Sequence, residues 1–185
     1  MNSEDSNKIS TSVFWPQTAI SWLELILKVI LITASLSAVY QYFDVKQENR
    51  VKKTMEFLDH FSSGQLQDAQ MKLSASWSDY HDDIKQLNQI PVKSEKDKAL
   101  IIENMVLQVV LHREQSKDID LLVIFFENLQ ICIDNRICDQ RVSQSFFGEY
   151  ASGFFSLYQP WIKERRKLIP NYACQLQAFV QQTNC

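Results

Sequence analysis

The chain has 185 residues, of which 45% are hydrophobic and 22% charged, with a formal net charge of −3. That balance excludes a nucleic-acid coat protein and an acidic disordered tail. Three glycines and four prolines are too few for a turn-rich β architecture, so the composition predicts a mostly helical protein.

Residues 1–17 carry Glu4, Asp5 and a single Lys8 and read as a short tail. Residues 18–43, TAISWLELILKVILITASLSAVYQYF, are long enough to cross a bilayer. As an α-helix, Ile20 to Phe43 would rise about 36 Å, against a hydrocarbon core of about 30 Å. A secretory signal peptide would begin basic and keep its apolar core free of charge. Here Glu24 and Lys28 interrupt that core, and only the run Ala34-Ser35-Leu36-Ser37-Ala38 resembles a cleavage site. The expectation is therefore an uncleaved transmembrane helix. Trp15 and Trp22 near one end and Tyr40, Tyr42 and Phe43 near the other resemble interfacial aromatic belts. Lys46, Arg50, Lys52 and Lys53 follow the span, against Lys8 alone before it. The positive-inside bias then places the N-terminus outside, the following domain in the cytoplasm, and its thiols in the reduced state.

Within the span, Glu24 and Lys28 have two readings. Intramembrane charges usually face a bundle interior or water, and the i,i+4 spacing lets these two pair. Alternatively both sit in the outer interface and snorkel, which leaves Val29 to Phe43 as the apolar remainder. Thr33/Ser37 and Ala34/Ala38 form small-xxx-small spacings suited to helix–helix contact.

Beyond the span the helix is expected to continue to about Ser62, with Val51, Met55, Leu58 and Phe61 on one stripe and Gly64 as a left-handed stop. Residues 44–185 read as a cytosolic helical domain. Gln65 to Leu87 is a second helix with the stripe Leu66, Ala69, Leu73 and Trp77. Lys98 to Arg113 is strongly apolar and is predicted to be a central core helix. Asp118 to Asn135 contains LLVIFFENLQICI, strand-like in composition but helical by length. Asp139 to Tyr158 follows, with Gly148 and Gly153 expected where helices approach closely. Trp161 to Lys167 is short and basic, and Pro170-Asn171 opens a last helix through Val180. The fold class is all-α, a transmembrane helix continuing into a helical bundle.

The sequence has no phosphate loop, no G-x-G-x-x-G, no H-E-x-x-H and no G-x-S-x-G. His81-Asp82-Asp83 reads as a solvated helix end, because consecutive helical residues point apart. Cys132, Cys138, Cys174 and Cys185 lack C-x-x-C spacing, and Cys132 and Cys174 fall within apolar segments as core residues. His112-Arg113 reads as a helix-end pair. No catalytic residue, metal or cofactor is assigned. Lys163, Arg165, Arg166 and Lys167 follow Trp161 and are the candidate contact for an anionic ligand. The pairs Phe125/Phe126, Phe146/Phe147 and Phe154/Phe155 read as plain core.

The order of these features, with Arg50, Thr54, Glu56, Phe57 and Leu58 after the span and then FFENLQICIDNRICDQRVSQSFFGEY, resembles a bacterial family of small single-pass membrane proteins with a helical domain of unassigned function. More distantly the chain is similar to the accessory membrane protein of type VI-B CRISPR systems. That resemblance implies self-association, a pore and a place in phage defence. An Arg/His nuclease-like motif discussed for that group is absent at R-x(4–6)-H spacing, so no catalytic residue carries over.

Two functions are therefore expected. One is a homo-oligomeric membrane effector whose spans gather into a pore. The other is a membrane-tethered module that senses a partner protein, a nucleotide signal or RNA, with no binding of duplex DNA. An enzyme is not expected.

Overall fold

The computed structural model describes residues 17–79 and 95–181. Among them are seven helices and no strand: α1 (Gln17–Phe61), α2 (Gly64–Asp79), α3 (Glu95–His112), α4 (Ser116–Asp134), α5 (Gln140–Leu157), α6 (Gln159–Arg166) and α7 (Cys174–Gln181). The chain divides into two units whose boundary falls between Lys46 and Gln47, inside α1.

In the first unit, every large hydrophobic from Leu25 to Val45 is exposed. Two hydroxyls of this stretch are satisfied by the helix itself. Thr33 Oγ1 donates to the carbonyls of Ile30 and Val29 at 2.9 and 3.1 Å, and Ser35 Oγ to that of Leu31 at 2.7 Å. A helix that closes its own polar groups meets the requirement of an apolar solvent. Among the described residues, α1 is the one helix long and apolar enough to cross a membrane.

In the second unit the central element is α4. Ile119, Leu122, Val123, Phe125, Phe126, Leu129, Cys132 and Ile133 are all buried, and the helix packs against α2, α5 and α7. The expectation that residues 98–113 form the core is corrected. In α3, Val106, Val109 and Val110 are buried on one face, but Leu111 is 60% exposed and Leu100 57%. Apolar content does not bury a helix; only the face that meets a neighbour is buried, and α3 meets α6.

The end of α1 enters this core. The Phe61 ring lies 4.9 Å from that of Phe125, 5.3 Å from Phe147 and 5.2 Å from Tyr150. The pairs with Phe147 and Tyr150 are edge-on and that with Phe125 is tilted, and such contacts add to the burial of the rings. The phenylalanines from α4, α5 and α7 are thus core, as the sequence indicates, except Phe146, which is exposed. Gly64 adopts φ +59 and ends the run from α1, as expected. The two glycines of α5 do not mediate close packing. A methyl group at position 153 would meet nothing within 4 Å, and at 148 only the side-chain oxygen of Gln144 on the same helix. Trp77 of α2 donates from Nε1 to Tyr158 Oη at 2.8 Å, and burial pushes the Tyr158 hydroxyl up to about 12.

The last helix starts at Cys174 rather than at Pro170-Asn171, after Ala173 in the left-handed region at φ 58. Its start is held from α4. The Glu127 carboxylate accepts the backbone N–H groups of Ala173, Cys174 and Gln175, although its burial outweighs them and raises its pKa.

The expectation of reduced thiols is also corrected. Cys132 and Cys138 form a disulfide with a Cα–Cα distance of 5.2 Å, and Cys174 is disulfide-bonded too. The separation of six residues works because Arg136 turns left-handed (φ 56) and lets the chain double back.

One side chain joins α1 to this turn. Thr54 is completely buried; its Oγ1 donates to the Arg50 carbonyl at 3.0 Å and accepts the Asp139 backbone N–H at 3.0 Å. We expect Thr54→Val, which keeps the shape and removes the acceptor, to destabilise the domain by about 1–3 kcal/mol in urea denaturation of the detergent-solubilised chain, with Thr54→Ser recovering much of the loss. An unchanged midpoint in Thr54→Val would remove this junction from the account of stability.

Candidate functional site

The residues singled out in the sequence lie in two places. On α1, Lys28 Nζ approaches Glu24 Oε2 at 4.0 Å, with side chains 74% and 70% exposed, so the two charges meet within their own helix. Thr33, Ala34, Ser37 and Ala38 are exposed on the same helix.

In the second unit, the basic run on α6 is divided between internal and external roles. Arg165 Nη2 pairs with Asp120 at 2.5 Å, and its guanidinium lies 5.5 Å from the ring centres of both Trp161 and Tyr172. Arg166 donates to the carbonyls of Tyr172 and Ala173 and to Gln177 Oε1. These two arginines therefore clamp the α6–α7 segment. Lys167 pairs with Glu164, and Lys163 borders a cavity between α3 and α5–α6 with Glu103 and Pro160. The four cations do not converge on one point. His81-Asp82-Asp83 lies outside the described residues. Among the described residues no group of histidine, cysteine or carboxylate side chains could hold a metal.

A different set of cations does converge. A cavity of about 600 Å³ is lined by Arg50 of α1, Arg136 of the α4–α5 turn and Arg141 of α5, with Cys138, Asp139 and Gln144. Each is placed by a feature already described. The Thr54–Asp139 hydrogen bond sets α1 against the start of α5. The Cys132–Cys138 bridge closes the turn, in which the N–H groups of Ile137 and Cys138 both reach the Cys132 carbonyl, at 3.0 and 3.1 Å. Arg136 is held in its left-handed conformation by its own N–H to the Ile133 carbonyl at 2.8 Å. A non-glycine residue there is strained by about 1 kcal/mol.

The electrostatics are one-sided. Among the described residues none of the three guanidiniums makes an ion pair or a hydrogen bond, and Arg50 Nε is buried without an acceptor. The only carboxylate among the described residues of the lining, Asp139, is engaged as the cap of α5. Its Oδ1 accepts the Val142 N–H at 2.8 Å and its Oδ2 accepts from the Gln47 amide. The Val142 N–H chiefly, with the Gln47 amide, the Arg141 N–H and the charge of Arg50, holds its pKa below the usual carboxylate range against the effect of burial. Three guanidiniums against one committed carboxylate can attract and grip an oxyanion.

A second cavity, about 300 Å³ and more apolar, lies between α2 and α5, with Leu73, Trp77, Tyr150, Gly153 and Phe154 in its walls.

Sequence reading missed the arginine cavity. Arg50 entered as one of the charges after the span and in the family resemblance, and Arg136 and Arg141 only inside the stretch quoted for that resemblance, none of them as a site residue. The signal is present in CIDNRICDQR, where a basic residue is bracketed by two cysteines and followed by an aspartate helix cap and another arginine.

The chain belongs to a family described as "Domain of unknown function (DUF4760)", which matches residues 28–182. The match begins inside the apolar stretch, so the family takes in most of that helix together with the domain. No curated protein and no solved structure matches, and no link to CRISPR accessory proteins is found.

Asp139 also makes a prediction about acid. Its folded pKa is lowered, so its contribution is present above the unfolded value of about 3.9 and is lost as pH falls through the folded one. Asp139→Ala should cost about 1 kcal/mol at pH 7 in denaturation, with the gap to wild type closing well below pH 4. A gap that stays constant into acid would show that the carboxylate charge contributes nothing.

Proposed function

We propose that the chain is a membrane-tethered binding module, in which the apolar part of α1 is the anchor and the helical domain recognises a ligand. The observation that carries this is the division of α1. It is apolar and exposed up to Val45, whereas its last three turns bring Thr54, Phe57 and Phe61 onto the domain core and Arg50 to a cavity of uncommitted arginines. If the reading is right, the expressed chain stays with membranes through alkaline carbonate and is released by detergent. Release by carbonate would defeat it.

Orientation is part of the proposal. Lys46, Arg50, Lys52 and Lys53 after the span favour a cytoplasmic domain. Disulfides favour an oxidising compartment, because cytosolic thiols are kept reduced. The bias of charge is a tendency of insertion, whereas a disulfide is a chemical state that the cytosol does not maintain, so we assign the domain to the outer side. Alkylation of intact bacterial cells with a permeant maleimide, followed by denaturation, reduction and a second label, tests the assignment. Cysteines that react only after reduction support it; full reaction in the first step places the domain in the cytoplasm.

A second reading is an oligomeric pore, supported by the Glu24–Lys28 pair on an otherwise apolar helix and the small residues Thr33, Ala34, Ser37 and Ala38. It predicts that Glu24→Leu with Lys28→Leu abolishes dye leakage across the membrane while the protein still inserts and assembles. Unchanged leakage would count against a pore role for the pair. A place in phage defence rests on the resemblance alone.

A further inference from the structure

We propose that the arginine-lined cavity is a binding site for a phosphate group, carried either by a free ligand or by a lipid headgroup; this deepens the reading of the domain as a membrane-tethered binding module. The argument is one of elimination. An arginine on a folded domain usually pairs with a carboxylate, hydrogen-bonds a carbonyl, or extends into water. Arg165 and Arg166 show the first two uses in this same domain. Arg50, Arg136 and Arg141 show neither among the described residues. Arg136 and Arg141 are exposed to water, but hydration does not account for Arg50, whose Nε is buried without an acceptor inside a site that holds those two further guanidiniums. A buried unmade hydrogen bond is a standing cost that a ligand oxygen would remove.

The ligand chemistry follows from the donors. The three forks come from three different elements: α1, the turn, and the first turn of α5. A carboxylate offers one edge to one fork, whereas a phosphate offers oxygens in several directions at once. With Asp139 offsetting one of the three positive charges, two remain, which matches a phosphate carrying up to two negative charges. Asp139 already caps α5, so the guanidiniums rather than the helix end do the binding. A lipid source is considered because Arg50 follows Phe43, the last aromatic of the apolar stretch, closely in the sequence.

Arg136 supplies a test that separates binding from folding. It stands at φ 56, where glycine is the unstrained residue. Arg136→Gly therefore removes a guanidinium without loading the turn, and its melting temperature without ligand should equal or exceed that of wild type. The full chain, purified in a non-ionic detergent, is melted with rising inorganic phosphate at ionic strength held constant with chloride. In parallel, chain reconstituted in nanodiscs of phosphatidylcholine with and without phosphatidylglycerol is examined by native mass spectrometry for retained lipid.

A saturable rise in melting temperature with phosphate, at least tenfold weaker in Arg136→Gly and in Arg141→Gln, establishes a free-phosphate site. Phosphatidylglycerol retained by wild type and lost by both variants establishes a headgroup site. Neither effect in wild type, or effects undiminished in both variants, overturns the proposal. Carbonate extraction of the membranes from which the chain is purified keeps the two claims apart: phosphate binding by a chain that carbonate releases upholds the site and removes the anchor.

Discussion

The hydrogen bond from the Asp139 backbone to Thr54 Oγ1 is the constraint on which the rest of the domain depends. It joins a side chain on the first helix to the last residue of the α4–α5 junction, and it is completely buried at the threonine end. A hydroxyl can do this because it donates and accepts together. Thr54 gives its proton to its own helix at the Arg50 carbonyl and takes the Asp139 proton with its lone pair. Asp139 in turn uses its carboxylate on α5 and on Gln47 of α1. The register of α1, the start of α5 and the rim of the arginine cavity are therefore set at one point.

From that point the core follows. With α1 held against α5, Phe61 is brought among Phe125, Phe126, Phe147 and Tyr150, and α4 is enclosed by α2, α5 and α7. Burial of these rings supplies the non-directional part of stability, and the polar clamps decide which packing is adopted. Glu127 at the start of α7 and Arg166 on the carbonyls before it fix the last helix onto α4 and α6. The basic run on α6 thus acts mainly within the domain, while cations from three separate elements form the open site.

The helices were legible in the sequence because their signals are local. Low glycine and proline content excluded sheet, the 3.6 periodicity of Leu66, Ala69 and Leu73 gave the inner face of α2, and Gly64 marked the end of α1. The centre of the domain was not legible. Apolar content does not separate residues 98–113 from 118–135, which are almost equally rich in apolar side chains, and burial depends on how many sides of a helix meet neighbours. The apolar residues of α4 occur at spacings that cover several sides, and those of α3 that are buried lie on one. The arginine cavity was hidden for the same reason. Arg50 and Arg136 are far apart in the chain, and only the Thr54–Asp139 contact and the Cys132–Cys138 bridge bring them together. The bridge itself departs from the familiar C-x-x-C spacing and needs a left-handed arginine, which propensity argues against.

The distance along the chain between Thr54 and Asp139 has a consequence for biosynthesis. The two partners are 85 residues apart, and Phe61 waits as long for Phe147 and Tyr150. During vectorial synthesis the apolar stretch leaves the ribosome first and is delivered to its destination while α4, α5 and α7 are still untranslated. The last turns of α1 then remain without their core until nearly the whole chain has been made. Order of events is built into the connectivity: placement of the first helix comes before assembly of the domain, and a nascent chain arrested before α5 would carry Thr54 and Phe61 uncovered, a natural target for quality control.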